Sequence, residues 1–269
     1  MQLVAASKLK KAQDSATAPR DYLNEAKNLI EELAATTAVK GSKLFEKNNS
    51  EVTLTIVVSS DRGLAGAYNS NVVRAMVKHL KDGSTKHKII SIGRYASLFV
   101  AKINGPDDQY NIEEVEEIAA YPIGSASVDQ ELSIPILQEA VELFTANKVG
   151  EVFVIYTEFN STVKQTVKAE KLLPLEPGSD NGLKLQKTTE PSGPEIVDFV
   201  ANRYLEAALT QYILESLASE HASRMLAMKN ATDNASDLID DLTLASNNAR
   251  QAAITQELAE ISAGAAAVN

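Results

Sequence analysis

The run Ser59-Ser60-Asp61-Arg62-Gly63-Leu64-Ala65-Gly66-Ala67-Tyr68-Asn69-Ser70-Asn71 is the place in this chain where chemistry would most readily be built. Glycines between a β-branched segment and a helical one can bring backbone N–H groups up to a phosphate. The same residues admit a plainer reading, in which Gly63 and Gly66 permit tight turns and Asp61 pairs locally with Arg62. Neither G-x-G-x-x-G nor G-x-x-x-x-G-K-[ST] is present, and the loop carries no Lys. The three histidines are dispersed. His79 and His87 flank a predicted turn and are expected in solvent. His221 follows Glu220 and is expected on a helix surface. None has metal-ligand or triad spacing. Asp240 and Asp241 read as solvated acid on an exposed helix face. No catalytic residue, cofactor site or metal site is predicted.

The elements around the loop alternate. Val52 to Val58 is short and β-branched, the pattern of a buried strand. Further strands are predicted at Lys88–Ile92, Val115–Ala120 and Glu151–Thr157. Thr162–Leu173 is predicted as an antiparallel edge strand. Helices are predicted at Asn71–Leu80, Tyr95–Lys102 and Ile134–Asn147, the last with Pro135 tolerated in its first turn. This alternation implies an α/β domain with a doubly wound, mostly parallel sheet, covered on both faces. It spans residues 48–190, closing in a polar, turn-rich linker over Asp180–Gly193.

Flanking it are two helical segments, 1–47 and 191–269. From Glu195 to Ala263 there is neither Gly nor Pro. At roughly 1.5 Å per residue such a run can form a helix on the order of 100 Å long. Ser192 and Glu195 form a capping box, with Pro194 in the first turn. The distal part repeats in heptads: Met228, Ala231, Ala235, Leu238, Leu242, Ala245, Ala249, Ala252, Gln256 and Ala259 follow alternating steps of three and four. The proximal part (Ile196, Phe199, Val200, Tyr204, Leu205, Leu209, Tyr212, Ile213, Leu217) is bulkier and reads as a face packed on the domain. The N-terminal segment has helical periodicity at Leu3, Ala6 and Leu9 and again at Tyr22, Leu23, Ala26, Leu29, Ile30 and Leu33. Pro19 predicts a kink between the two runs. Residues 1–47 carry 8 basic and 6 acidic side chains, and residues 195–269 carry 4 and 11. The charges suit an antiparallel coiled coil of the two.

The net charge of −10 argues against nucleic acid as a partner. Cys is absent, which removes disulfides, thiolate metal sites and thiol chemistry. No run approaches the roughly 18 apolar residues of a transmembrane helix, and Met1 leads into a polar helix in place of a secretory signal. The chain is expected to be soluble and intracellular.

Several segments together resemble one family. The loop from Ser59 to Asn69 is similar to the S-[ST]-D-[RK]-G-L-C-G-x-x-N segment of the gamma subunit of F-type ATP synthases. Asn248-Ala249-Arg250-Gln251-Ala252-Ala253-Ile254-Thr255-Gln256-Glu257-Leu258 resembles that family's N-x-A-R-Q-A-x-I-T-x-E-L signature. Ala218 to Met225, Ala231 to Ala235 and Met1 to Lys8 match as well, so the likeness runs the length of the chain. Two departures stand out. Ala65 replaces a frequent Cys, which reads as a packing change. The family's chains begin earlier, with a basic helical stretch, so the seam from about Leu238 onward is expected to lack part of its partner.

The resemblance implies a non-catalytic rotor shaft. Its coiled coil would turn inside a ring of alternating alpha and beta subunits, and its α/β domain would sit on the epsilon subunit and the membrane c ring. Arg250 and Gln251 would contact a beta-subunit loop, and Lys8, Lys10 and Lys11 would face acidic levers of beta. Asp61, Arg62, Gly63 and Gly66 would shape a structural loop. The expected location is peripheral, on the cytoplasmic face of a bacterial plasma membrane or the inner face of an organellar one. The competing readings are an enzyme binding a nucleotide or small acid at the Gly63/Gly66 loop, and a coiled-coil adaptor.

Overall fold

The computed structural model describes residues 1–34, 41–82, 86–105, 110, 112, 115–124, 130–176 and 194–268. The expected linker over 180–193, and Ser192 of the expected capping box, lie outside them. Five strands, β1 (Val52–Val58), β2 (Lys86–Ile92), β3 (Val115–Tyr121), β4 (Glu151–Phe159) and β5 (Gln165–Leu173), form one sheet in the order β3-β2-β1-β4-β5. The first four pair in parallel, and β5 runs antiparallel to β4 at the edge. Strand order reverses beside β1, which is the topological switch point of such a sheet.

Both faces of the sheet are covered. Val57, Ile89 and Ile155 pack against α2 (Tyr68–Asp82) and α3 (Arg94–Ile103). On the other face Leu54, Ile56, Ile90, Val154 and Tyr156 meet α4 (Gln130–Thr145) and the first half of α5 (Pro194–Val268). This explains the unbroken apolar run of β1: a strand with cover on both sides has no polar face to alternate with. α4 begins a turn earlier than its apolar pattern suggests. Pro135 therefore lies in the second turn, where its missing N–H costs one bond to the Glu131 carbonyl.

The N-terminal helix α1 runs from Gln2 to Ala34 without a break at Pro19. Its buried seam is Ala5, Leu9, Ala12 and Ala16, in steps of four, three and four. Leu3, Tyr22 and Leu29, expected on the buried face, are exposed. Leu9 and Ile30 are buried as expected, and the alanines beside Leu9 let two helices approach closely. Gln211 of α5, itself buried, donates through Nε2 to the Ala16 carbonyl at 3.0 Å. Lys8, earlier on α1, lies close enough to feel Glu220 and His221 on α5. The two helices thus run side by side in opposite directions.

α5 is a single helix of 75 residues. The chain forms two compact units, Met1–Leu226 and Ala227–Asn269. In the first, no α5 residue from Leu205 to Ala222 is exposed. Phe199, expected on the packed face, stands out at 61 % exposure with the Arg203 guanidinium over its ring. In the second, every residue from Lys229 to Gly264 is exposed. The α1 seam therefore matches the proximal half of α5, and the heptad seam from Ala231 onward has no partner among the described residues. The antiparallel pairing of the two terminal helices is present, and the unpartnered stretch expected from about Leu238 begins a little earlier, near Lys229.

Candidate functional site at the end of strand β1

The loop after β1 folds against three elements. Asp61 does not pair with Arg62. Its Oδ1 accepts the backbone N–H of Arg94 at 3.1 Å, and its Oδ2 accepts that of Gly124 at 2.9 Å. The next N–H groups of α3 are also taken, Tyr95 by the Ser60 carbonyl at 3.1 Å and Ala96 by Ser59 Oγ at 2.8 Å. These are the donors a phosphate would need at a helix N-terminus. The chain's own carboxylate, backbone carbonyl and hydroxyl already hold them. Ser60 and Asn69 tie the loop's two ends together through their side chains at 2.7–2.9 Å.

What the loop offers outward is carbonyl oxygen, and a guanidinium takes it. Arg224 of α5 donates to the Arg62 carbonyl through NH2 at 3.0 Å and to the Gly63 carbonyl through Nε and NH2, each at 3.3 Å. Its NH1 meets Glu220 Oε1 at 2.6 Å, one helical turn back. The pair is largely dry, with side chains 15 % and 7 % exposed. Burial raises the Glu220 pKa above its ordinary 4.5 despite the opposing pull of Arg224, with the Asp61 charge adding to the rise and Lys8 opposing it. His221 is half-buried, not solvated as expected. Its Nδ1 lies 3.3 Å from Arg224 NH1, and burial with the Arg224 and Lys8 charges lowers its pKa to about 4.

Two serines one turn earlier on α5 meet the sheet itself. Ser216 Oγ accepts the Thr157 N–H at 3.0 Å, and Ser219 Oγ donates to the Thr157 carbonyl at 3.1 Å. Tyr212 stacks on Tyr156 at 4.2 Å between centroids. In a doubly wound sheet the crevice beyond the strand ends at the switch point is where a ligand usually lies. Here α5 occupies it.

Of the residues singled out from sequence, the fold brings Asp61, Arg62, Gly63 and Lys8 together around Arg224 and Glu220. Gly66 sits at φ 58°, a left-handed position that glycine accepts freely. Gly63 has no such φ, and a Cβ there would meet only the Tyr95 hydroxyl, at 2.7 Å. That ring is partly exposed and can swing aside. Gly63→Ala is accordingly expected to cost no more than about 1 kcal/mol in urea denaturation. Lys10 and Lys11 are exposed on α1, and Arg250 and Gln251 on α5. His79 and His87 depart from expectation: His87 is buried, and His79 packs edge-on against Phe153 at 4.6 Å.

Sequence reasoning passed over Glu220, Arg224, Ser216 and Ser219. A signal existed. Between Ala207 and Ala227 the charges are Glu215, Glu220 and Arg224 alone, amid apolar and small residues. An i,i+4 acid–base pair inside a segment with only one other charge in about twenty residues marks a buried charge with a fixed partner.

These observations define a class: a sheet domain whose ligand crevice is filled by a long helix of the same chain. The family described as ATP synthase matches residues 1–268, and the chain belongs to it. A Brevibacillus brevis protein named ATP synthase gamma chain is 38 % identical over 98 % of this chain and 90 % of its own length. The Stenotrophomonas maltophilia gamma chain is 37 % identical over all of this chain and 92 % of its own. Among solved structures, a chain from the central stalk and c ring of the Tetrahymena thermophila mitochondrial ATP synthase superposes with a TM-score of 0.65 at 22 % identity, over 86 % of this chain and 97 % of that one. A chain of the Euglena gracilis mitochondrial enzyme in rotational state 3 gives 0.61 at 17 %, over 98 % and 95 %. At those identities the likeness speaks for the fold.

Proposed function

We propose that this chain is the central rotor shaft of an F-type ATP synthase, coupling ion-driven rotation of a c ring to sequential changes at catalytic beta subunits. The observation that carries the reading is α5: one uninterrupted helix, wedged into the sheet domain over Leu205–Ala222 and exposed on every side from Lys229 to Gly264. A stretch so long, with Leu238, Ile239, Leu242, Leu244, Ile254, Leu258 and Ile261 in solvent, needs a sleeve around it. The alpha and beta subunits supply that sleeve. The epsilon subunit and c ring engage the α/β domain, and the chain itself carries out no catalysis. No helix among the described residues is long and apolar enough to cross a membrane, so it joins the membrane complex peripherally.

Arg250 and Gln251 lie in the sleeve and meet a beta-subunit loop, with Lys8, Lys10 and Lys11 adding positive charge toward beta. Such contacts break at each step and are worth roughly 0–1 kcal/mol each. Arg250→Ala with Gln251→Ala is expected to lower ATP synthesis in the reconstituted complex between about two- and tenfold. The thermal midpoint of the isolated chain should not move, because both residues are exposed. Synthesis at the wild-type rate would sink the contact assignment.

A further inference from the structure

The serines that join α5 to the sheet have a consequence for a rotating part. Thr157 lies two residues past Ile155, the last residue of β4 in register with β1. Its N–H and C=O therefore lack a strand on that side. Ser216 and Ser219 supply both partners, and each serine is fully buried. A third, Ser223, continues the row one turn on and donates to Gln165 Oε1 at 3.2 Å on β5. Beside them α5 meets the domain with apolar side chains such as Leu209 and Ile213, with Thr210 donating to Ser133 Oγ of α4 at 2.8 Å, and with Arg224 on the loop after β1, so the two serines are its bonds to the Thr157 peptide of the sheet itself. Apolar packing has no direction and tolerates small rotations of a helix about its axis. Hydrogen bonds weaken steeply off their line. A side chain one position along a helix points about 100° away, so even a modest turn of α5 would break both serine bonds and strand a buried peptide.

We infer that Ser216 and Ser219 are positioning residues that fix the rotational setting of α5 against the sheet domain, so that twist delivered to one reaches the other without slip. The inference rests on the rotor reading. It adds to it the place where torque crosses between sheet and helix, and the groups that carry it.

The test is single-molecule rotation of the reassembled catalytic complex. A bead is attached through Lys102→Cys, on an exposed α3 position in a chain with no other cysteine. Ser216→Ala with Ser219→Ala is expected to widen the angular variance of the bead at each dwell roughly twofold, because the bonds to the Thr157 peptide are gone while the apolar packing and the Thr210 and Arg224 contacts remain. Ser216→Thr with Ser219→Thr keeps both hydroxyls and should restore the narrow distribution. A variance equal to wild type in the alanine double variant overturns the inference. Should that variant fail to assemble, Ser219→Ala alone is read by the same criterion. A wild-type chain whose bead never turns refutes the rotor reading itself, and this inference with it.

Discussion

Arg224→Ala is expected to destabilise the Met1–Leu226 unit by about 3–5 kcal/mol in urea denaturation, more than any other truncation at the helix–loop junction. The reason is what it leaves behind. Glu220 keeps a buried carboxyl with no guanidinium at 2.6 Å, and the carbonyls of Arg62 and Gly63 lose their donor. Adding Glu220→Gln removes the stranded charge and should recover part of the loss, so the two substitutions will not add. The effect has a pH signature. A carboxyl whose pKa is raised on folding binds more proton in the native state than in the unfolded chain. Stability therefore falls as pH rises from 4.5 to the folded pKa and is level above it. Arg224 holds that folded pKa down, so without it the falling window extends to higher pH. The gap between wild type and Arg224→Ala should open with rising pH across that window. His221 works in the opposite sense: its lowered pKa makes stability fall as pH drops from 6.5 to about 4. In Arg224→Ala that decline should shrink, because Arg224 is one cause of the lowering. A pH-independent gap would mean that Arg224 acts by packing alone.

The sheet was readable from the chain because β1 and β4 are short, apolar and bounded by turn residues, and such strands leave little alternative. Val52–Val58 and Val115–Tyr121 fall where the pattern put them, and β5 is antiparallel at the edge. The α1 seam was readable only in part: Leu9 and Ile30 are buried as the periodicity has them. Periodicity weights large apolar residues, and here the close approach of two helices buries Ala5, Ala12 and Ala16 while Leu3 points to water. The Gly loop was ambiguous for a physical reason: glycines after a strand serve a phosphate or a turn equally well. The tertiary fold favours the turn: the loop spends its Asp61 carboxylate on the N–H groups of Arg94 and Gly124 and its Arg62 and Gly63 carbonyls on Arg224, partners far off in the sequence. His87 was misplaced because a histidine beside a turn can still begin a central strand, and β2 starts at Lys86.

Ala245→Pro is expected to stop useful rotation while leaving the sheet domain folded. Residue 245 lies where α5 is exposed on every side, so no tertiary contact is there to hold a damaged helix together. Proline removes the bond to the Asp241 carbonyl and its ring clashes there, costing about 3 kcal/mol or more. A kink above about 20° follows. The remaining helix to Val268 is on the order of 35 Å long, so its end would swing by on the order of 10 Å. A shaft displaced that far cannot run true inside a ring of subunits. ATP synthesis by the reconstituted complex should fall more than about tenfold, the rate cost of only 1.4 kcal/mol of lost coupling. Circular dichroism of the isolated chain should show reduced helicity. Ala245→Ser, similar in size and tolerated by a helix, should behave as wild type. Synthesis that survives the proline would mean that the distal helix need not be stiff, and that torque reaches the ring through the proximal half alone.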